Sequence, residues 1–281
     1  MSSQFTFAFF GTPNVASDTL ETLKQAGYLP SIIVTSPDAR SGRKMLLTPS
    51  PVKVWAEENN ISYLQPEKLD EIFYNELKLR CLGPNCLFII VAYGKILPEE
   101  ILKIPKYGSI NIHYSLLPKY RGASPVETAI LNGDSTTGVT IQKMVYQMDA
   151  GPIIASKKLE ILPDQTAPEL RLALIKAGGE LLVETLPKII AGDIKEAPQD
   201  EKLATHCKKI KKEDGLINLS ADPVTNYNKF RAYAHWPRTF LFENGKRIII
   251  TDAVLENNTF TIKKVIPEGR KEITWEEFNR N

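Results

Sequence analysis

The sequence predicts an α/β fold: an open, mostly parallel sheet with helices on both faces, followed by a small β-barrel domain. Three observations support this prediction. Strand-like and helical segments alternate along the first 190 residues, and the strands are continuous apolar runs instead of alternating ones. Beyond residue 190, short strands are separated by turn residues. The first pattern is typical of a parallel sheet covered on both faces, and the last of a small antiparallel β domain.

Local signals set the order of the elements in the first part. The aromatic run at residues 4–10 reads as a strand, and Thr12 with Pro13 predicts a helix N-cap followed by the first helical position. Ser124 and Glu127 have the spacing of a capping box. The remaining expected elements are helices at residues 14–25, 52–59 and 69–81 and strands at residues 29–35, 61–64 and 87–92, with an exposed basic loop at residues 36–51.

The composition changes after Ile190. Residues 191–204 contain few apolar anchors and two helix breakers, which predicts a linker. We therefore expect an α/β domain at residues 1–190 and a β domain at residues 205–281, with strands near residues 240–242, 247–251 and 259–265. Residues 202–271 carry 14 basic and 7 acidic side chains, whereas the whole chain has a net charge of +2. The positive charge is thus concentrated in the last third.

The composition excludes several classes of protein. With 281 residues, 43% apolar and 24% charged, the chain is neither disordered nor fibrous. Its longest apolar run, residues 86–92, is far shorter than the roughly 20 residues of a membrane-spanning helix. The first residues resemble a strand more than a signal peptide, so we expect a cytoplasmic protein. The three cysteines lack CxxC spacing, and we expect buried thiols and no metal site.

The most informative residues are Asn111 and His113. On an extended chain they project from the same face, so an amide donor and an imidazole converge. Asp149 lies in a turn before a glycine, where its carboxylate could reach a neighbouring strand end. A polar pair on a strand and an aspartate in a turn are more often structural than catalytic.

The sequence has no serine or cysteine nucleophile with an evident histidine partner, and GTPNVAS is not a phosphate-binding loop. An amide, an imidazole and a carboxylate without a nucleophile suit direct acyl transfer to an amine. The donors can stabilise a tetrahedral oxyanion, and the carboxylate can accept the proton of the amine.

Longer motifs resemble a known family. FFGTP, SPVK, VAYGKILPEEIL, INIHYSLLPKYRGASPVETAILNGD, TGVTIQKM and QMDAGPII are similar, in order and spacing, to the catalytic domain of the methionyl-tRNA formyltransferases. KIKKEDGLINL, AHWPRTF and PEGRKEITWEEF resemble the C-terminal domain of that family. The resemblance covers nearly the whole chain and implies a Rossmann-like formyltransferase domain followed by an OB-like barrel that binds tRNA.

The resemblance also implies roles for individual residues. The implied catalytic set is Asn111, His113 and Asp149. The implied folate-binding residues are Ser115, Leu116, Leu117 and Pro118, with Val91, Ala92, Tyr93 and Gly94 lining the pterin pocket. The loop at residues 40–47 matches the segment that enters the tRNA acceptor stem, where Arg40, Arg43 and Lys44 would contact phosphate. We add a basic cluster, defined as Lys208, Lys209, Lys211 and Lys212, as a further part of the tRNA track.

The predicted reaction is transfer of the formyl group of 10-formyltetrahydrofolate, a co-substrate, to the amino group of methionyl initiator tRNA, without a metal. Because the Asn/His/Asp set is shared by related enzymes, a sugar-nucleotide N-formyltransferase and a 10-formyltetrahydrofolate hydrolase are alternatives. An RNA-binding protein with a vestigial enzyme domain is a third. The basic last third favours tRNA as the acceptor. We expect a monomer with no membrane association.

Overall fold

The computed structural model describes residues 5–41, 45–80 and 85–280. The chain forms two compact units. The first comprises Met1–Pro118, Val139–Lys157 and Leu174–Ala204, and the second comprises Lys119–Gly138, Lys158–Ala173 and Thr205–Asn281. The division into residues 1–190, 191–204 and 205–281 follows the order of the chain and stays a prediction.

The elements of the first part begin with β1. They are β1 (Thr6–Gly11), α1 (Asn14–Gln25), β2 (Ile32–Val34), β3 (Ala39–Ser41), β4 (Leu46–Thr48), α2 (Pro51–Glu58), β5 (Tyr63–Leu64), α3 (Glu71–Arg80), β6 (Cys86–Val91), α4 (Glu99–Leu102) and β7 (Ser109–His113).

The later elements begin with a short strand. They are β8 (Arg121–Gly122), α5 (Pro125–Leu131), β9 (Thr136–Lys143), β10 (Ile153–Glu160), α6 (Ala167–Ala191), β11 (His206–Cys207), α7 (Pro223–Ala232), β12 (Phe240–Glu243), β13 (Lys246–Glu256), β14 (Thr259–Pro267), β15 (Ile273–Thr274) and α8 (Trp275–Asn279), with short 3₁₀ helices at Glu201–Leu203 and Lys212–Gly215.

The main sheet has seven strands in the order β10-β9-β7-β6-β1-β2-β5. The pairs β5-β2, β2-β1, β1-β6 and β6-β7 are parallel, whereas β9 runs antiparallel to β7. All six residues of β6 are buried, as expected for a parallel strand covered on both faces. The predicted α/β class is thereby confirmed, and the carboxyl ends of β1, β2, β6 and β7 share one edge of the sheet.

Three local expectations differ from the structure. Pro13, not Thr12, occupies the N-cap position of α1, and the Thr12 hydroxyl instead donates to the Tyr93 carbonyl at 3.1 Å. The capping box expected at α5 is not formed, because the Ser124 side chain makes no cap hydrogen bond and the Glu127 carboxylate pairs with Arg171. The loop at residues 36–51 contains an antiparallel hairpin of β3 and β4.

The second unit contains a four-stranded antiparallel sheet in the order β12-β13-β14-β15. Asn257 and Asn258 join β13 to β14 with φ angles of 49° and 58°, a left-handed geometry that asparagine tolerates and that matches the twist of a hairpin. The sheet packs around a small apolar core of Ile217, Leu241, Ile248, Ile250, Ala253, Ile262 and Val265. The small C-terminal β domain expected from the sequence is therefore observed as this sheet.

Within the described ranges, no helix is long and apolar enough to cross a membrane. The same residues contain no group of three or more His, Cys, Asp or Glu side chains placed to hold a metal ion. Cys86 and Cys207 are buried thiols that form no disulfide, and Cys81 lies outside the described residues.

Candidate active site

The last residues of β7 place the predicted amide and imidazole. Asn111 and His113 lie opposite Gln142 and Thr140 of β9, and Asn111 also lies beside Ile90 of β6. His113 is 6% exposed, so its ring is largely shielded from water. Both side chains therefore lie near the carboxyl edge of the parallel strands, where open α/β sheets bind their ligands.

The structure brings Asp149 to the same place. Its Oδ2 lies 3.6 Å from Nδ1 of His113. The side chain of Asp149 is 14% exposed and that of His113 is 7% exposed. At this distance a carboxylate can orient the imidazole and stabilise a positive charge on it, with little screening by solvent. The carboxylate and the imidazole that the sequence proposed are thus in direct electrostatic contact.

Two glutamines hold the Asp149 turn. Nε2 of Gln142 donates to Oδ1 of Asp149 at 2.9 Å. Nε2 of Gln199 donates to the carbonyl oxygens of Asp149 at 2.8 Å and of Gly151 at 2.7 Å. Sequence reasoning missed both glutamines. The position of Gln142 opposite Asn111 in the register would have indicated the first, but no local pattern indicates the second.

The segment after β7 is tied to β9. The Thr140 hydroxyl donates to the Ser115 carbonyl at 2.7 Å, and the Leu117 amide donates to the Thr140 oxygen at 3.1 Å. Ser115 and Leu117 are buried, whereas Leu116 and Pro118 are partly exposed. This proposed folate segment therefore has a fixed backbone next to His113.

The segment after β6 has an unusual backbone. Ala92 and Gly94 are exposed and have φ angles of 48° and 83°, while Val91 and Tyr93 are buried. Burial raises the pKa of Tyr93 to about 12. The left-handed residues turn the chain at the strand end and leave Ala92 and Gly94 exposed.

A pocket of about 140 Å³ adjoins the Asp149 turn. Its lining is mainly apolar and includes side chains that sequence reasoning did not select: Lys95, Ile96, Leu97, Met144, Val145, Tyr146, Gln147 and Met148. Ile96 and Tyr146 are exposed large side chains at its rim. The arrangement suits a flat, partly apolar ligand held against Asp149.

The proposed tRNA-contacting residues lie in separate units. Arg40 is exposed on β3, opposite Leu47 of β4, and Met45 has a φ of 50° at the hairpin end. Arg43 and Lys44 lie outside the described residues. All four lysines of the basic cluster are exposed, beside or within the 3₁₀ helix Lys212–Gly215.

The base of the β3-β4 hairpin is anchored. Asp38 accepts from Nε2 of Gln65 at 2.8 Å and from Nζ of Lys53 at 2.7 Å. These hydrogen bonds, first from Gln65 and then from Lys53, hold the pKa of Asp38 below its ordinary value. The hairpin thus leaves the sheet from a fixed point.

Two family models match the chain: Formyl transferase at residues 4–186, and Formyl transferase, C-terminal domain, at residues 209–267. A methionyl-tRNA formyltransferase of Thermotoga sp. strain RQ2 is 43% identical over 248 residues, which are 88% of this chain and 79% of that protein. A methionyl-tRNA formyltransferase of Geobacter sulfurreducens is 37% identical over 271 residues, 94% of this chain and 83% of that protein. The chain belongs to the methionyl-tRNA formyltransferase family.

A solved structure supports the fold of this family member. The N-formyltransferase from Helicobacter canadensis, in complex with folinic acid and dTDP-3-aminofucose, has a TM-score of 0.70 and covers 96% of this chain and 99% of its own. At 19% identity this likeness concerns the fold alone. As a member of the methionyl-tRNA formyltransferase family, the chain is a formyltransferase.

Proposed function

We propose that the protein transfers the formyl group of 10-formyltetrahydrofolate to the amino group of methionyl initiator tRNA. The observation that carries this proposal is the approach of Asp149 to His113 at the edge of the sheet that also holds Asn111. Curated relatives at 37% and 43% identity carry the name of this activity, which supports tRNA as the acceptor. The domain limits 1–190, 191–204 and 205–281 are part of the proposal.

The proposed reaction needs no covalent intermediate. The methionyl amino nitrogen attacks the formyl carbon, a new C–N bond forms, and the bond from the formyl carbon to N10 of the folate breaks. The oxygen of the tetrahedral state carries negative charge, which hydrogen bonds from Asn111 and His113 stabilise. Asp149 accepts the proton of the amine, directly or through water, and N10 gains a proton on leaving.

The folate is proposed to lie along two segments. Residues 115–118 offer a backbone tied down by Thr140, and residues 91–94 offer a left-handed turn at the end of β6 in which Ala92 and Gly94 are exposed. The apolar pocket next to Asp149 suits the flat pterin ring.

The tRNA is proposed to contact Arg40, Arg43 and Lys44 of the segment at residues 40–47, and the basic cluster in the second unit. Support comes from the exposure of Arg40 and of all four lysines, together with the concentration of positive charge in the last third of the sequence. We further propose that the protein is cytoplasmic, because the acceptor is a component of translation. We also propose that it is a monomer.

One experiment tests the proposed function against its alternatives. The purified protein is incubated with 10-formyltetrahydrofolate and, separately, with methionyl initiator tRNA, a dTDP-amino sugar or water alone, and the product that carries the formyl group is quantified. Formylation of the tRNA at least 100-fold faster than of the sugar, and than hydrolysis, is expected. Preferred formylation of the sugar, or release of free formate at the same rate without tRNA, would overturn the proposal.

A further inference from the structure

Gln199 lies beyond the region that matches the first family model, which ends at residue 186. An antiparallel bridge fixes this part of the chain, because the Ile153 amide donates to the Ala197 carbonyl at 2.8 Å and the Ala197 amide donates back at 2.9 Å. The bridge brings Gln199, two residues later, next to the turn that carries Asp149.

The side-chain amide of Gln199 binds that turn. Its two shortest hydrogen bonds go to the Asp149 carbonyl at 2.8 Å and the Gly151 carbonyl at 2.7 Å. The same nitrogen donates a longer hydrogen bond, of 3.4 Å, to Oε1 of Gln142. Gln199 therefore binds the backbone of the turn, while Gln142 binds its carboxylate.

The turn needs such support because its backbone is strained. Asp149 has a φ of 51°, a left-handed conformation that is unfavourable for a residue with a side chain. Strained residues keep such a conformation only where surrounding contacts impose it. The two short hydrogen bonds from Gln199 hold the backbone at this residue and directly after it, at its own carbonyl and at that of Gly151.

We infer that Gln199 is a positioning residue that holds the carboxylate of Asp149 against His113, so that the segment after the catalytic sheet takes part in building the active site. One oxygen of Asp149 is held by Gln142 at 2.9 Å, and the other faces His113 at 3.6 Å. A rotation of the turn would change the distance between the second oxygen and His113. The inference rests on the proposed role of Asp149.

Substitutions of Gln199, with and without Asp149→Asn, test it in the full chain. Gln199→Ala removes the hydrogen bonds from Gln199 to the turn and should lower kcat by about 10- to 100-fold, because a misplacement of about 1 Å reduces catalysis on this scale. The KM for tRNA should change less than about twofold. Gln25→Ala, the same chemical change on the exposed face of α1, is the matched control and should leave kcat unchanged.

Gln199→Glu keeps the length of the side chain but has no hydrogen to donate when ionised. It should be as impaired as Gln199→Ala at pH 8 and should recover relative to the wild type toward about pH 4.5, near the ordinary pKa of a glutamate, where a protonated carboxyl can donate one hydrogen bond. A role limited to stability predicts no such recovery. Equal impairment across this pH range would overturn the inference.

Asp149→Asn separates this inference from the proposed function. If Gln199 acts through Asp149, adding Gln199→Ala to Asp149→Asn should reduce kcat by less than about threefold further. Full additivity, or wild-type kcat in a folded Gln199→Ala variant, would overturn the positioning role. Near-normal turnover of Asp149→Asn alone would instead remove Asp149 from the proposed mechanism.

Discussion

Gly151 offers the sharpest test of how the active-site turn is packed. A Cβ atom at this position would lie 1.7 Å from the carbonyl oxygen of Lys143, where an ordinary contact is at least 3.4 Å. Gly151→Ala must therefore separate the turn from the end of β9 by more than about 1 Å. Because the backbone sets the position of a Cβ atom and the Lys143 oxygen is itself a backbone atom, no rotation of a side chain can relieve the overlap.

Two effects of Gly151→Ala are expected. Displacement of the Asp149 turn by this amount should lower kcat on the order of 10²-fold. Overpacking at the strand end should destabilise the protein by about 1–3 kcal/mol. Single-turnover formyl transfer with tRNA measures the first effect, and the midpoint of thermal unfolding measures the second.

Gly192→Ala is the matched control. Gly192 has a φ of 77° and open space around its missing Cβ, so alanine there strains the backbone without touching the site. This variant should lose stability and keep normal turnover. A folded Gly151→Ala variant with wild-type kcat and unfolding midpoint would refute the packing argument.

The other predictions concern the site and the surfaces around it. His113→Ala should lower kcat by on the order of 10² or more with little change in the unfolding midpoint; near-normal turnover would remove the imidazole from the mechanism. Replacing all four lysines of the basic cluster by glutamine should flatten the salt dependence of tRNA binding by up to roughly 0.7 to 0.9 log units for each phosphate interaction removed, and an unchanged slope would place the tRNA track elsewhere. Burial raises the pKa of Tyr93 to about 12, so folding favours its neutral form, and stability should fall as the pH rises from 10 through 12. Between pH 9 and pH 11.5, the free energy of unfolding measured in urea should fall by roughly 2 kcal/mol less in Tyr93→Phe than in the wild type. An equal fall in both proteins would contradict the raised pKa of Tyr93. Asp38→Ala should speed proteolysis within the β3-β4 hairpin, and unchanged cleavage would show that the hairpin does not depend on this anchor.

Features that depend on near neighbours in the chain could be predicted from the sequence. The apolar runs specified strands such as Cys86–Val91, because a strand covered on both faces needs apolar residues at every position. The spacing of Asn111 and His113 specified that both point the same way, since side chains alternate along a strand. These features need no knowledge of the remainder of the chain.

Features that join distant segments follow only from the assembled fold. The capping box predicted at the start of α5 does not form, because Glu127 pairs with Arg171 of α6. No pattern near Glu127 in the sequence predicts this partner. The approach of Asp149 to His113 depends on the pairing of β7 with β9, and the place of Gln199 depends on the bridge from Ala197. Folding brings separate segments together because it buries their apolar surfaces. Polar groups that become buried at the same time form hydrogen bonds with the groups that surround them in the folded protein. A linear pattern carries the propensity for each segment, whereas the partners of a buried polar group are fixed by the assembled chain.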